Sequence, residues 1–240
     1  MREFDFTVNG YRYIASYEEE FIDEICLSLI EKWKKMAQGK RVIVFLAAPP
    51  AVGKSTLAML FESLSDGWVQ ALGMDGFHHF QSYILEHEVE VDGKKVPMKS
   101  VKGCPESFDF KRFEQLLLKV RQQDCLWPLY NRRLHDVEED KIQVSSPIVL
   151  IEGNYLLLDE KPWNRLKDYC DDSIFISADE QDLKQRLIQR KMQGGVPAHE
   201  AVYFYMNSDR RNILRIMEHR LKADVELRLE GNLYIAKKSQ

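Results

Sequence analysis

Residues 42–60 read VIVFLAAPPAVGKSTLAML, and the architecture follows from them. The opening run, Val-Ile-Val-Phe-Leu, is apolar and β-branched, as expected of a strand buried on both faces of a parallel sheet. A turn of small residues follows, and a helical pattern begins at Lys54. Residues 48–55 fit the Walker A spacing, with Ala48 at the first position and Gly53, Lys54 and Ser55 at the end. The chemistry explains the spacing. Turn amides of Ala51, Val52 and Gly53, and the helix start at Ser55 and Thr56, would surround phosphate oxygens. Lys54 would reach the β and γ phosphates and the Ser55 hydroxyl would ligate Mg²⁺. An ordinary strand, loop and helix whose small residues only pack has the same local pattern. Ala48 and Ala51 stand where many such loops carry glycine, and each added Cβ restricts the backbone that aims amides at phosphate.

Composition narrows the classes. The 240 residues are 45% hydrophobic and 30% charged, enough for one elaborated α/β domain over residues 1–240. A net charge of −4 argues against a broad nucleic-acid or anionic-membrane surface, so any cationic function has to be local. The four cysteines are scattered without paired spacing, which points to reduced thiols rather than a zinc site or disulfide framework. No basic leader precedes an apolar segment, and no apolar run reaches about 18 residues, so a cytoplasmic, non-membrane protein is expected.

The rest of the chain supplies the surroundings. Residues 4–17 alternate around Asn9-Gly10 and predict a hairpin; Ser16 and Glu19 then have capping-box spacing before a helical stripe of Phe21, Ile22, Ile25, Leu29, Ile30, Trp33 and Met36. Hairpin and helix form an N-terminal extension over residues 1–39. A Phe and Trp stripe suits core or interface equally, which leaves a homodimer open. After the phosphate-loop helix, residues 68–74 predict a strand that delivers Asp75-Gly76-Phe77-His78-His79 to the carboxyl edge of the sheet, where ligands of open α/β folds sit. Asp75 there would accept a proton from an attacking hydroxyl or align it with the γ phosphate. The other reading is a plain Asp-Gly turn. His78 and His79 suit substrate binding but have no metal-site spacing. Residues 81–105 form a polar insertion with a second hairpin about Asp92-Gly93, positioned to cover an acceptor.

Residues 128–136 read PLYNRRLHD. Their Tyr, Arg and His suit a hydroxylated or anionic ligand, and equally an exposed hairpin bearing ion pairs. Residues 147–152 predict another strand, ending on Glu152, in position to anchor Mg²⁺ beside the loop. A helix over 179–193 puts Arg186 and Arg190 on one face before Gly194-Gly195, where a solvated basic stripe is the plainer reading. Helical pattern over 197–219, turned near 207–211, and terminal strands over 224–228 and 232–236 complete the chain.

Taken together, MDGFHH, KGCPESFDF, PLYNRRLHDV, IEGNYLLLDEKPW and RLIQRKMQGG resemble segments of the uridine kinase, phosphoribulokinase and bacterial pantothenate kinase group of P-loop kinases. The likeness runs over residues 42–212 and is strongest to a bacterial subgroup labelled nucleoside/nucleotide kinase or fructose-transport-system kinase. It implies a P-loop NTPase fold, a doubly wound and mainly parallel sheet with helices on both faces. It also implies an ATP- and Mg²⁺-dependent phosphotransferase acting on a small-molecule hydroxyl: a nucleoside, a sugar or polyol, or a pantothenate-like acid. Asp75 then matches the catalytic acid, Lys54 the loop lysine and Glu152 the acid of the EGxxL-like segment. Tyr130 and the adjacent Arg132 and Arg133 fall where the group places acceptor-site residues, and His78, His79 and Asn154 are further substrate-binding candidates. Arg186 and Arg190 match a phosphate-gripping lid over 186–200. Asp209 and Asn212 resemble a DxPN segment in which Arg211 replaces proline. The competing reading is a nucleotide-dependent regulatory switch, which accounts for the loop but not for Asp75 and Tyr130.

Overall fold

The computed structural model describes residues 1–236 apart from Asn9, Asp92 and the side chain of Tyr11. The chain opens with an antiparallel hairpin, β1 (Arg2–Val8) and β2 (Tyr11–Tyr17). A π-helical segment (Phe21–Leu27) continues without a break into α1 (Ser28–Met36). The expected capping box is not formed. Ser16 pairs with Glu3 inside the hairpin, so long-range strand pairing outcompetes the local helix start. The Asn9 and Asp92 positions of the two expected hairpin turns lie outside the described residues.

Strand β3 (Val42–Ala47) leads through the phosphate loop into α2 (Lys54–Leu64), and β4 (Val69–Gly73) ends in a tight 3₁₀ turn over Met74–Phe77. The insertion folds as α3 (Gln81–Glu86) and the small hairpin β5 (Glu88–Val91) and β6 (Lys94–Pro97). Next come α4 (Phe110–Gln122), whose N-cap Asp109 accepts from the Arg112 amide, then the hairpin β7 (Cys125–Asn131) and β8 (Asp136–Val144). Strands β9 (Ile148–Gly153) and β10 (Asp172–Ala178) are followed by α5 (Glu180–Gln193), α6 (Ala198–Phe204), a π-helical turn over Tyr205–Asp209 and α7 (Arg210–Glu218). Arg211 keeps the backbone N–H that a proline would remove, and residues 209–212 run as helix. β11 (Val225–Glu230) and β12 (Leu233–Ala236) close the fold.

The main sheet has the order β12-β11-β10-β3-β9-β4, with only β11–β12 antiparallel. Chain order reverses around β3: β4 lies to one side beyond β9, β10 to the other. That is the switch point where a doubly wound sheet opens a crevice at its carboxyl edge. Alternation along β3 divides the core. Val42, Val44 and Leu46 face a layer built with α2 and the N-terminal extension, while Ile43, Phe45 and Ala47 face a layer with α4 and the β7–β8 hairpin.

The N-terminal stripe is core. Phe21, Ile22, Ile30 and Trp33 are buried, and the Trp33 ring packs at a tilt against Phe61 of α2 with centroids 5.1 Å apart. The Trp33 indole donates to Asp172 Oδ2 at 2.6 Å, and Lys32 pairs with the same oxygen at 2.8 Å. This ties the extension to β10. Asp172→Asn keeps an acceptor for the indole but loses the charge, and should cost about 1.5 kcal/mol, lowering Tm by about 4 °C in a thermal melt. Among the described residues, no helix is long and apolar enough to cross a membrane.

Candidate active site

Strand register places the site. Leu46 of β3 and Gly73 of β4 both pair with Glu152 of β9, so the phosphate loop, Glu152 and Asp75 leave neighbouring strands at one level. Within the loop, Gly53 (φ +85°) and Ala51 (φ +69°) both occupy the left-handed region. Gly53 does so freely; for Ala51 the Cβ makes this conformation cost about 1 kcal/mol. The departure from glycine noted in the sequence is therefore a real strain at Ala51. Ala48 is fully buried and its backbone is ordinary.

Lys54 and Ser55 start α2 and meet Glu152. Ser55 Oγ donates to Glu152 Oε1 at 2.6 Å, and Lys54 Nζ lies 3.9 Å from Oε2. Desolvation pushes the Lys54 amine below its ordinary pKa, against the attraction of Glu152 and Asp75. Desolvation likewise pushes the Glu152 carboxyl up, with Lys54 opposing and Asp75 adding to the rise. A hydroxyl and a carboxylate are hard oxygen donors of the kind Mg²⁺ takes alongside water and phosphate oxygens, so Ser55 and Glu152 fit that ion.

Asp75 sits in the turn after β4, its side chain 37% exposed and thus reachable by a ligand. The crevice desolvates it, yet the facing cations Arg132, Lys54 and Arg190 hold its carboxyl below the usual range. Arg132 provides the direct contact, Nη2 to Oδ2 at 3.2 Å. The His78 ring donates from Nδ1 to the Asp75 carbonyl at 2.8 Å; a carbonyl only accepts, so Nε2 carries the lone pair. Burial also pushes the His78 pKa down, which favours the neutral ring. The turn itself is clamped from three sides. A Cβ on Gly76 would lie 2.3 Å from the Pro128 carbonyl oxygen, Arg112 donates to the Gly76 carbonyl at 2.5 Å, and the Trp127 indole donates to the Gly73 carbonyl at 2.9 Å.

Known proteins resemble this chain. Over 240 residues the chain is 38% identical to the uncharacterized protein YggC of Escherichia coli K12, covering 96% of this chain and 98% of that one. It is 33% identical over 171 residues to pantothenate kinase of Listeria monocytogenes strain HCC23, covering 67% of this chain and 53% of the kinase. A crystal structure of a proposed fructose transport system kinase from Silicibacter sp. TM1040 superposes with TM-score 0.73 at 29% identity, covering 84% of this chain and 98% of that one. The chain belongs to the uridine kinase, phosphoribulokinase and pantothenate kinase group of P-loop kinases. It spans about half the length of the pantothenate kinases it matches. No family model matches it.

Within this P-loop kinase the remaining expected residues divide. Tyr130 joins the site: its ring lies 5.1 Å from that of His78, and burial, with the Asp75 charge adding, pushes its phenol up to about 12. Arg132, at the tip of the β7–β8 hairpin, makes the PLYNRRLHD segment both an exposed hairpin and part of the site. Asn154 follows β9, and its Oδ1 is buried without a hydrogen-bond partner among the described residues. His79 goes elsewhere. Its ring stacks on Tyr83 at 4.2 Å, with Asp109 and Arg112 as its charged neighbours. Arg190 lies among Arg132, Asp209 and Asp75, whereas Arg186 is tied to the loop and to the C-terminal hairpin.

Two residues at this P-loop kinase site have roles that no local spacing announces. Lys102 of the insertion lies 5.1 Å from the Tyr130 ring centroid and donates to Gln81 Oε1 and the His135 carbonyl. Arg112 packs over Phe77 and Phe80 while holding the Gly76 carbonyl. An arginine in the first turn of an amphipathic helix looks like any solvated charge until its partner across the fold is known.

Proposed function

We propose that this protein is an ATP-dependent kinase that transfers the γ-phosphoryl group to a hydroxyl of a small molecule. The observation that carries the reading is the convergence of Lys54, Ser55, Glu152 and Asp75 at one edge of the sheet, with Arg132 on the Asp75 carboxylate. Positioning and electrostatics do most of the work in phosphoryl transfer, and these residues match the parts required.

Loop amides from Ala51 to Thr56 and the Lys54 ammonium bind the β and γ phosphates. Ser55 and Glu152 would hold Mg²⁺, which neutralises charge on the phosphate oxygens when bound. Asp75, kept ionised by Arg132 and its other cationic neighbours, orients the acceptor hydroxyl and takes its proton at a carboxylate oxygen. Arg190 closes on the transferring group from the 186–200 lid, and Arg186 supports the nucleotide end of the loop. His78, Tyr130, Arg132 and Asn154 form the acceptor wall, with the 81–105 insertion over it. The mixed character of this wall, an imidazole lone pair, a phenol, an amide and cations, suits a hydroxylated acceptor with an acidic or polar second group.

A panel of acceptor pools tests the assignment. Nucleosides, sugars including fructose, polyols and acids including pantothenate are each supplied with Mg-ATP, and ADP release is followed. One pool should raise turnover by about 10²-fold or more over ATP alone, and subdividing it identifies the acceptor. Slow ADP release that no pool alters would instead favour a regulatory nucleotide switch.

A further inference from the structure

The phosphate loop has an alanine in a conformation that suits glycine, and side chains from distant parts of the chain hold the two carbonyls at that point. Ala51 takes φ +69°. Its own carbonyl accepts from Arg186 Nη1 at 3.4 Å, and the next carbonyl, Val52, accepts from the Tyr234 hydroxyl at 2.7 Å. Both donors are themselves fixed. Tyr234 is stacked on Phe21 at 5.5 Å and on Tyr17 at 6.0 Å, packing the C-terminal strand against the N-terminal extension. Arg186 is tied to the β11–β12 turn through the Gly231 carbonyl and Asn232 Oδ1.

The geometry has a direct consequence for anion binding. A loop that cradles phosphate has to turn its amides inward, which sends carbonyls outward, where each needs a donor. Water would serve an unstrained glycine loop. At Ala51 the left-handed turn competes with relaxed backbones that would carry the amides away from the phosphate position. We propose that Tyr234, assisted by Arg186, is a positioning residue that clasps the phosphate loop in its anion-binding turn and so compensates for alanine at position 51. The clasp deepens the kinase reading and rests on it for the identity of the anion. It also gives Gly53 a second constraint, because a Cβ there would lie 2.6 Å from the Tyr234 hydroxyl.

The test is a double-mutant cycle on the full chain. Tyr234→Phe keeps the stacked ring and removes only the donor. Mg-ADP affinity by calorimetry should fall about 5- to 10-fold in Tyr234→Phe, with KM for ATP rising in step and kcat within about 2-fold. In an Ala51→Gly background the same substitution should cost less than about 2-fold, because glycine holds the turn unaided. Equal losses in both backgrounds would overturn the clasp, as would no loss in either. Amide hydrogen exchange of the ligand-free protein probes the same clasp without nucleotide. A peptide spanning residues 51–56 should exchange faster in Tyr234→Phe and return to the slow rate in the Ala51→Gly, Tyr234→Phe double variant; unchanged exchange in Tyr234→Phe contradicts the proposal. Failure of the wild-type protein to bind Mg-ADP would refute the kinase reading, leaving the exchange result to decide the clasp separately.

Discussion

Asp75→Asn should lower phosphoryl transfer by roughly 10³-fold while leaving Mg-ATP affinity within about 3-fold of wild type. The amide is nearly the same size and keeps an oxygen that Arg132, now 3.2 Å from Oδ2, can still reach. What it loses is the ability to accept a proton and the negative charge that draws the acceptor hydroxyl into line. Nucleotide affinity is spared for an electrostatic reason. Removing the Asp75 charge frees Lys54, Arg132 and Arg190 from one of their counter-charges, so the loop end of the site becomes more favourable to phosphate, not less. Single-turnover transfer and equilibrium nucleotide binding, measured on the same preparation, separate the two effects. Transfer within about 10-fold of wild type would remove Asp75 from the proton-accepting role. A parallel collapse of nucleotide affinity would make it a structural residue.

Gly76→Ala is expected to produce the second large effect, through backbone geometry rather than charge. The new Cβ would lie 2.3 Å from the Pro128 carbonyl oxygen and 2.6 Å from its carbon, both main-chain atoms of β7. Neither side has an easy retreat. β7 is held to the β4 end by Trp127 on the Gly73 carbonyl, and the turn is held to α4 by Arg112 on the Gly76 carbonyl. Relief has to come from displacing the 3₁₀ turn that carries Asp75. A loss of about 3 kcal/mol and a Tm drop of about 8 °C should accompany near-complete loss of transfer. Unchanged melting with full activity would show that β7 yields without cost and that the turn is not clamped.

These two residues differ in how openly the sequence announces them. Asp75 is legible because three independent patterns coincide: an apolar strand, a carboxylate at its end, and a phosphate loop on a neighbouring strand. Glu152 is legible for the same reason. The need for glycine at position 76 is not, since its cause is the main chain of β7, more than fifty residues away. β7 and β8 are themselves obscure: Asp136–Val144 is mostly charged and shows little apolar alternation, yet it pairs along most of β7. The N-terminal stripe correctly indicates a packed helix but not its π-helical first part, because an extra residue per turn leaves the same side chains buried. Ser16 and Glu19 show the opposite failure, a sound local signal overridden by pairing with β1. Tyr234 and Arg186 meet the phosphate loop across more than 130 positions of sequence, and no local spacing encodes that meeting.

In a kinase of this kind, phosphate leaves ATP for a carbon-bound hydroxyl and not for water. Phosphorus NMR of the wild-type protein with Mg-ATP and the stimulating acceptor pool distinguishes the two fates directly. A phosphomonoester resonance should grow in step with ADP, absent when the acceptor is omitted and absent with Asp75→Asn. Orthophosphate growing in step with ADP, at a rate that no acceptor changes, would rule out transfer to an acceptor.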